Sequence, residues 1–347
     1  MSEEKLSPEE DIHSTSEELN SAPSYQKEDN EVEQYDPSKW YNKKWIPFLP
    51  AYSSTVVQIL MVSFVCFLCP GMFNALSGLG GAGLSDASLA DKANVALNST
   101  FSTLGFFSGT ICNYLGLRYS LAFGGTGYAI YVASFLCYYH TQNQGFAIFA
   151  GAWLGITAAC LWGAQGAILM SYPTEKTKGK FFFVFWSIFN IGAVIGSCIP
   201  LARTINNDGN SVDDGTYVAF LVLTLLGSVV ACFLLPVSKV IRPDGSRVVH
   251  QKNPKLKDEL LELFRVMKRE PWILLLFPMF FSSNWFYTYE QSVFNTASFN
   301  IRTRSLNSLL FWFMQMIGSF VVGFMLDLPF LKRKTRGLIE VKLLMSD

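Results

Sequence analysis

From Val56 to Phe73 the chain runs through eighteen residues without a charge, and Gln58 is their only strongly polar side chain. A helix in a soluble fold alternates apolar and charged positions at its own period. A bilayer core of roughly 30 Å instead asks for about 20 apolar residues in a row. Eight stretches meet that length, bounded by charge, Gly or Pro: Thr55 to Leu76, Ala93 to Leu115, Ser120 to Tyr139, Phe146 to Met170, Phe181 to Leu201, Tyr217 to Pro236, Trp272 to Tyr289 and Leu306 to Leu326. The expected fold class is therefore an all-α polytopic membrane protein with the lipid bilayer as its first partner.

Composition excludes several other classes. Only 16% of residues are charged, where soluble domains carry about a quarter. Residues 1–38 hold twelve acidic side chains against Lys5 and Lys27. That acidic, Ser- and Glu-rich tail has too little apolar surface to fold alone and is expected to be disordered. Lys+Arg and Asp+Glu balance at 27 each, so no basic face is available for nucleic acid. His13, His140 and His250 are far apart, and all seven cysteines fall inside apolar stretches. Neither a metal cluster nor a disulfide framework is expected, and no cofactor is implied.

Basic residues collect on alternate loops: Lys39, Lys43 and Lys44, then Arg118, then Lys176, Lys178 and Lys180, then nine between Lys239 and Arg269, then Lys332, Arg333, Lys334 and Arg336. The intervening loops hold only Lys92, Arg203, Arg302 and Arg304. Lys and Arg accumulate on the cytoplasmic side, which predicts a cytoplasmic N-terminus. No signal-peptide pattern opens the chain, so the first span is expected to anchor it. The sequon Asn98-Ser99-Thr100 sits too near the predicted membrane to be used.

The organisation follows: a tail (1–38), a six-span half (39–236), a cytoplasmic linker (237–271), two further spans (272–336) and an atypical charged end (337–347). In the linker, Asn253 and Pro254 can open an amphipathic helix with Leu256, Leu260, Leu263 and Met267 on one face, and Pro271 stops it. That helix is expected to lie against the bundle or the headgroups. Glycines Gly105, Gly109, Gly192 and Gly196 are expected to pack helices closely. Pro70 and Pro278 each remove a helical hydrogen bond in the first span of their half. Cys66 and Cys69, one turn apart, read as packing residues.

Uncharged polar groups inside apolar helices are costly in lipid and tend to face the bundle interior. Gln58, Asn74, Asn94, Asn98, Gln165, Asn190, Asn284, Tyr287 and Gln291 are the candidates, with Trp162, Trp186 and Trp285 as walls. They could line a midplane cavity for a polar ligand or simply join helices by hydrogen bonds. The first six spans contain no interior Asp or Glu, leaving Glu290 as the one carboxylate placed for proton coupling. The expected solute is uncharged or weakly polar. Nucleophile signatures and phosphate-binding loops are missing, so no enzyme is expected.

The end of the second span reads Gly109-Thr-Ile-Cys-Asn113 with Gly116 and Arg118 following, and the end of the eighth reads Gly323-Phe-Met-Leu-Asp327 with Lys332 and Arg333 following. Six spans, a long linker and this turn resemble the major facilitator superfamily. Tyr41 to Trp45, Cys69-Pro-Gly-Met-Phe-Asn-Ala-Leu76, Leu161-Trp-Gly-Ala-Gln165, Ser171-Tyr-Pro-Thr-Glu175, Phe189-Asn-Ile-Gly-Ala-Val-Ile-Gly196 and Ser283-Asn-Trp-Phe-Tyr-Thr-Tyr289 resemble its uncoordinated-ninety-three-like branch. The resemblance implies a cytoplasmic gate at Gly109, Asn113, Gly116, Arg118, Glu175 and Asp327. Asn113 stands where the superfamily has Asp, which leaves Arg118 to another partner such as Glu175. It also implies twelve spans in two halves, against which this chain reads as truncated after the eighth. The implied function is an alternating-access carrier in a eukaryotic membrane, or a remnant of one. The alternative is a non-transporting regulator or escort of another membrane protein or channel.

Overall fold

The break in the first span sets the geometry of the bundle. Helix α1 (Thr55–Leu68) starts at Ser54, whose side chain accepts from the Val57 amide at 3.4 Å. It stops where Pro70 withholds an N–H; Cys69 takes φ −95°, ψ −83°, and α2 (Pro70–Gly78) continues beyond it. The computed structural model describes residues 36, 38–84, 88–174, 177–204, 212–242, 244–248 and 256–326. The acidic tail, apart from Asp36 and Ser38, and the end 337–347 lie outside the described residues.

From Trp40 onward the chain continues through α3 (Ser88–Gly105), α4 (Ser108–Leu115), α5 (Leu117–Thr141), α6 (Gln144–Ser171), α7 (Lys178–Thr204), α8 (Asp214–Cys232), the linker helix α9 (Leu256–Arg269) and α10 (Ile301–Leu326). Among the described residues, five helices are long and apolar enough to cross a membrane: Thr55–Gly78, Leu117–Thr141, Gln144–Ser171, Lys178–Arg203 and Asp214–Cys232. The protein is an all-α polytopic membrane protein.

Two of the eight expected spans take other forms. At the second position, α3 and α4 are separated at Phe106–Phe107, where the Phe107 amide reaches back to the Leu104 carbonyl at 3.0 Å. Asp91, Lys92, Asn94, Asn98 and the Ser/Thr residues at 99, 100, 102 and 103 make α3 far more polar than its neighbours. The seventh position is not one helix but a series of short pieces: 3₁₀ from Pro271–Leu276, α from Phe277–Ser282 and Trp285–Tyr287, a π-helical run Thr288–Asn295 and a turn Thr296–Ser298. Pro271, Pro278 and the Ser282-Ser283-Asn284 triplet each interrupt the ladder there. The eighth position is one 26-residue helix, α10.

Small residues bring the helices together. A Cβ on Gly151 would lie 2.3 Å from the Ala93 carbonyl oxygen, and one on Gly155 would lie 2.3 Å from that of Leu97, so α6 rides on the backbone of α3. Gly192 meets the Phe67 backbone (2.5 Å) and Gly196 the Ala75 methyl (2.7 Å), seating α7 on α1 and α2. Gly105 has open space where its Cβ would stand; it ends α3 before the break and packs nothing. The core between α1, α2, α5, α6, α7 and α8 is filled by fully buried Tyr131, Phe135, Tyr172, Phe185, Tyr217 and Phe220. Cys66 and Cys69 are buried there, the Cys69 Sγ lying 3.5 Å from the Thr224 carbonyl.

A strap follows α8 and crosses one end of the bundle. The Ile241 amide donates to Ser53 O (2.9 Å) and the Thr55 amide to Ile241 O (3.1 Å), while Arg242 returns to Ser246 through Gly245 at φ +79°. Arg242 caps α6: its Nη2 donates to Ser171 O at 2.7 Å and its Nε to Tyr172 O at 3.3 Å. Cations at a helix C-terminus satisfy orphan carbonyls and oppose the dipole. Beyond the strap, α9 leaves Leu261 and Phe264 exposed. Of the expected apolar face only the Met267 side chain, half-buried, is among the described ones; the side chains of Leu256, Leu260 and Leu263, and Asn253 and Pro254 altogether, lie outside the described residues.

Candidate functional site

The interior amides separate into distinct neighbourhoods. Gln58 is fully buried at the strap end, with its Nε2 donating to Tyr52 O (2.8 Å) and its Oε1 accepting from the Leu235 amide (2.9 Å). It fastens the end of α8 to the start of α1. Nearby, the Tyr52 hydroxyl donates to Phe233 O at 2.5 Å, and burial raises the phenol above its ordinary range against the pull of Arg118. Asn94 pairs α3 with α5, accepting from the Tyr131 hydroxyl at 3.2 Å. Gln165 is buried on α6, Asn74 half-buried on α2, and Asn98 exposed, its Nδ2 turned back to Asn94 O (2.9 Å). Asn284, Trp285 and Glu290 are all exposed.

The other candidates converge where α2 meets the residues after the linker. Gly78 and Gly80 make the approach possible. A Cβ on Gly78 would stand 2.1 Å from the Ser308 Oγ, and one on Gly80, at φ +66°, would stand 2.0 Å from the Thr296 Oγ1 and 2.4 Å from the Gln291 carbonyl oxygen. Into this junction Asn295 is buried at 3% exposure. Its Nδ2 donates to Gly78 O (3.1 Å) and its Oδ1 accepts from the Asn307 Nδ2 (2.9 Å). Gln291 and Arg304 are buried beside it. Asn295, Arg304, Asn307 and Trp312 were not among the residues expected from sequence; the signal available was a pair of amides on either side of the Phe299-Asn300 turn.

The seam between α7 and α10 runs from this junction toward mid-span. Ser197 and Ser308 share a hydrogen bond at 2.9 Å, and Phe183 meets Phe320 at 6.1 Å between ring centroids, so the two helices are antiparallel. At 1.5 Å per residue, Asn190 and Gln315 both lie about 10 Å from the serine contact and Trp312 about 6 Å from it. The Asn190 Nδ2 donates to Trp186 O (2.9 Å), but its Oδ1 is buried without a hydrogen-bond partner. The Trp312 Nε1 is likewise buried and unpartnered. Trp312 stacks on Tyr287 (5.9 Å, 20°), whose hydroxyl accepts from the Gln315 Nε2 at 3.2 Å. Trp162 and Trp186 both contact Phe189, at 5.7 and 5.4 Å. Asn190, Trp186 and Trp162 thus gather around Phe189, Tyr287 groups with Trp312 and Gln315, and Gln58 and Asn94 are tied elsewhere.

At the turn between α4 and α5, Gly116 takes φ +80° and its amide donates to Cys112 O at 2.8 Å. Gly109 and Asn113 are half-buried on α4. Arg118 lies 5.3 Å from the centre of the Tyr119 ring. Glu175 and Asp327, the two expected gate carboxylates, lie outside the described residues. At the opposite end, His140 meets Asp214 at 2.9 Å, and Arg203 grips Asp213 through its Nε at 2.7 and 2.9 Å. That grip, with Thr216 adding a hydrogen bond, holds the Asp213 carboxyl down at about 2. No group of three or more metal-ligating side chains occurs among the described residues.

Comparison with known proteins gives this arrangement its relatives. The family described as ion channel regulatory protein UNC-93 matches residues 93–338. A UNC93-like protein of Schizosaccharomyces pombe is 57% identical over 277 residues, covering 80% of this chain and 55% of its own length. UNC93-like protein 1 of Arabidopsis thaliana is 41% identical over 293 residues, covering 84% of this chain and 64% of the relative. An uncharacterized membrane protein of Schizosaccharomyces pombe is 36% identical over 291 residues, 83% of this chain and 59% of the relative. The chain spans little more than half the length of these curated relatives. The match across the broken second span, the strap and the α7–α10 seam places the chain in the UNC-93 family of eukaryotic integral membrane proteins.

Proposed function

We propose that the chain forms the solute-contacting part of an alternating-access carrier for an uncharged or weakly polar solute, with no enzymatic step. One observation carries this reading: two interrupted helices, one from each side of the linker, meet at Gly78, Gly80 and Asn295. Carriers place their sites where discontinuous helices free backbone groups, and π-helical runs concentrate at functional positions. The loop distribution of Lys and Arg supports a cytoplasmic strap end and N-terminus. Glu290, exposed and outside the seam, is a poor coupling group, which favours transport that does not depend on protons.

The family's description as an ion channel regulatory protein favours a second reading, a regulatory subunit that uses its exposed apolar faces to hold a membrane partner. Purified chain in proteoliposomes, offered a panel of radiolabelled neutral solutes (sugars, nucleosides, amides), distinguishes them. Uptake above protein-free vesicles, unchanged between pH 5.5 and 7.5 and lost in Asn295→Leu, is the expected result. No flux for any solute, together with an altered current when the chain is co-expressed with a cation channel, replaces the carrier by the regulator.

A further inference from the structure

The chain enters its first span through a closed loop whose outward side is apolar. The Tyr52 amide donates to Lys43 O (3.2 Å) and the Ser53 amide to Tyr41 O (2.7 Å), so residues 43–52 form a loop with joined ends. Within it Pro47 takes the second position of a turn closed by the Leu49 amide on Ile46 O (3.1 Å), where its fixed φ favours turning. Trp45 directs its Nε1 inward onto Trp40 O (3.1 Å). Its polar edge is thereby satisfied, yet the residue remains 65% exposed. Phe48 is 85% exposed, and Ile46 and Trp40 are exposed as well.

The base of the loop is fixed. Trp40 packs on Tyr41 and Tyr52 at 5.7 and 5.6 Å between ring centroids, and Lys239 of the strap lies 5.1 Å from the centre of the buried Tyr41 ring. Contiguous apolar residues displayed on a tied loop mark a contact surface. The charge-free first span begins at Thr55, directly after the loop, so the loop stands where the chain passes from water into the bilayer, the boundary that Trp favours. Charge then selects the lipid. Lys43 and Lys44 are exposed and form no ion pair among the described residues, and residues 37–85 contain no Asp or Glu. The strap's Asp244 is taken up by the Ser246 amide and hydroxyl, at 3.0 and 2.6 Å.

We propose that the Lys43–Tyr52 loop is a docking site for anionic phospholipid headgroups, with Lys43 and Lys44 meeting their negative charge and Trp45, Ile46 and Phe48 entering the boundary between headgroups and acyl chains. Anionic lipids concentrate in the cytoplasmic leaflet, which agrees with the strap end proposed above as cytoplasmic. The carrier reading is not needed for it. Because Ser53 and Tyr41 join the loop to the strap through Ile241 and Lys239, a lipid held here also holds the strap against α1.

The test follows melting of the detergent-purified full chain against added dioleoylphosphatidylserine, dioleoylphosphatidylcholine or glycerophosphoserine, the anionic headgroup without acyl chains. Each lysine at an anionic surface gives about a fivefold preference. Phosphatidylserine should therefore reach a given rise in melting temperature at about twenty-five-fold lower concentration than phosphatidylcholine, and glycerophosphoserine should give no rise. Lys43→Gln with Lys44→Gln should bring the two lipid curves together and leave melting without lipid unchanged. In bilayers of the two lipids carrying bromine on their acyl chains, the fluorescence difference between the parent and Trp45→Phe should be quenched relative to unbrominated bilayers. A phosphatidylserine preference that survives the double variant, an equal response to both lipids in the parent, a rise with glycerophosphoserine, or Trp45 emission indifferent to bromine each overturns the proposal. Lower melting of the double variant without lipid also overturns it, because the lysines would then be holding the fold.

Discussion

Two glycines on the same helix should respond to alanine with opposite signs. Gly151 and Gly166 both lie on α6, fifteen residues apart. A methyl on Gly151 would sit 2.3 Å from the carbonyl oxygen, 3.0 Å from the carbonyl carbon and 3.1 Å from the Cα of Ala93. All three are main-chain atoms, so no rotamer change relieves the contact and α3 must retreat by about 1 Å to restore van der Waals distance. Overpacking of this kind costs about 1–3 kcal/mol, and a main-chain obstacle puts it near the upper value. Helix propensity returns about 1 kcal/mol, leaving a net loss of about 2. A methyl on Gly166 meets nothing within 4 Å, so Gly166→Ala keeps only the propensity gain of about 0.5–1 kcal/mol. At about 2–4 °C per kcal/mol, Gly151→Ala should melt about 4–8 °C below the parent and Gly166→Ala slightly above it. Intrinsic tryptophan fluorescence of detergent-solubilised protein, checked by the temperature at which the monodisperse chromatographic peak is lost, measures both. Shifts of the same sign, or greater damage from Gly166→Ala, would refute the close seating of α6 on α3.

Two further outcomes follow from the same geometry. Asp213, held at about 2 by Arg203, has a folded-state value below its unfolded one of about 3.9; its contribution is present above pH 4 and lost as the pH falls toward 2. Both partners are about half exposed, so solvent screens the pair and its contribution at pH 7 is small. Asp213→Asn, which keeps the cap on α8, should flatten melting temperature against pH only in that acid window. Gly78→Ala drives its methyl to 2.1 Å from the Oγ and 2.9 Å from the Cβ of Ser308, so adding Ser308→Gly should recover part of the lost stability. A double-mutant cycle by thermal melting should give a coupling of about 0.5–3 kcal/mol, and simple additivity would mean that α2 and α10 do not touch there.

What could be read from sequence tracks what lipid demands of it. The five long helices announce themselves because a charge-free run has one economical place in a cell membrane. Pro70 is legible for an equally local reason, the missing N–H. The strap is not legible, because it is made of backbone bonds from a polar loop to Ser53 and Thr55, and of Arg242 reaching carbonyls seventy residues away. Gly151 and Gly155 show the small-xxx-small spacing that lets helices approach, but spacing alone does not say that Ala93 and Leu97 receive them. Gln58 illustrates the same limit: an amide in an apolar helix reads equally as cavity lining or as a tie, and only the positions of Tyr52 and Leu235 make it a tie. The second and seventh spans fail as continuous helices because hydropathy averages over a window, whereas a ladder breaks at single residues such as Phe107, Pro271 and Pro278.

The two pieces of the first span answer to different neighbours, and this decides where a rocking motion would bend the molecule. α1 is pinned at the strap end by Thr55, Gln58 and Ile241 through bonds of 2.8 to 3.1 Å to main-chain or amide atoms. α2 faces α10 and the π-helical run, tied to them through Gly78 and Asn295. Between the two stands Cys69, outside helical geometry, with Pro70 unable to donate a bond across the break. A change that separates α7 from α10 would pull on α2 while the strap holds α1, and the strain would fall on Cys69–Pro70, where there is no proline N–H bond to break. Closing that hinge by Pro70→Ala would give the ladder back its bond and bind α2 to α1, so the stiffened variant should gain thermal stability and lose solute flux together. A variant that gained stability with flux unchanged would separate the break in α1–α2 from transport altogether.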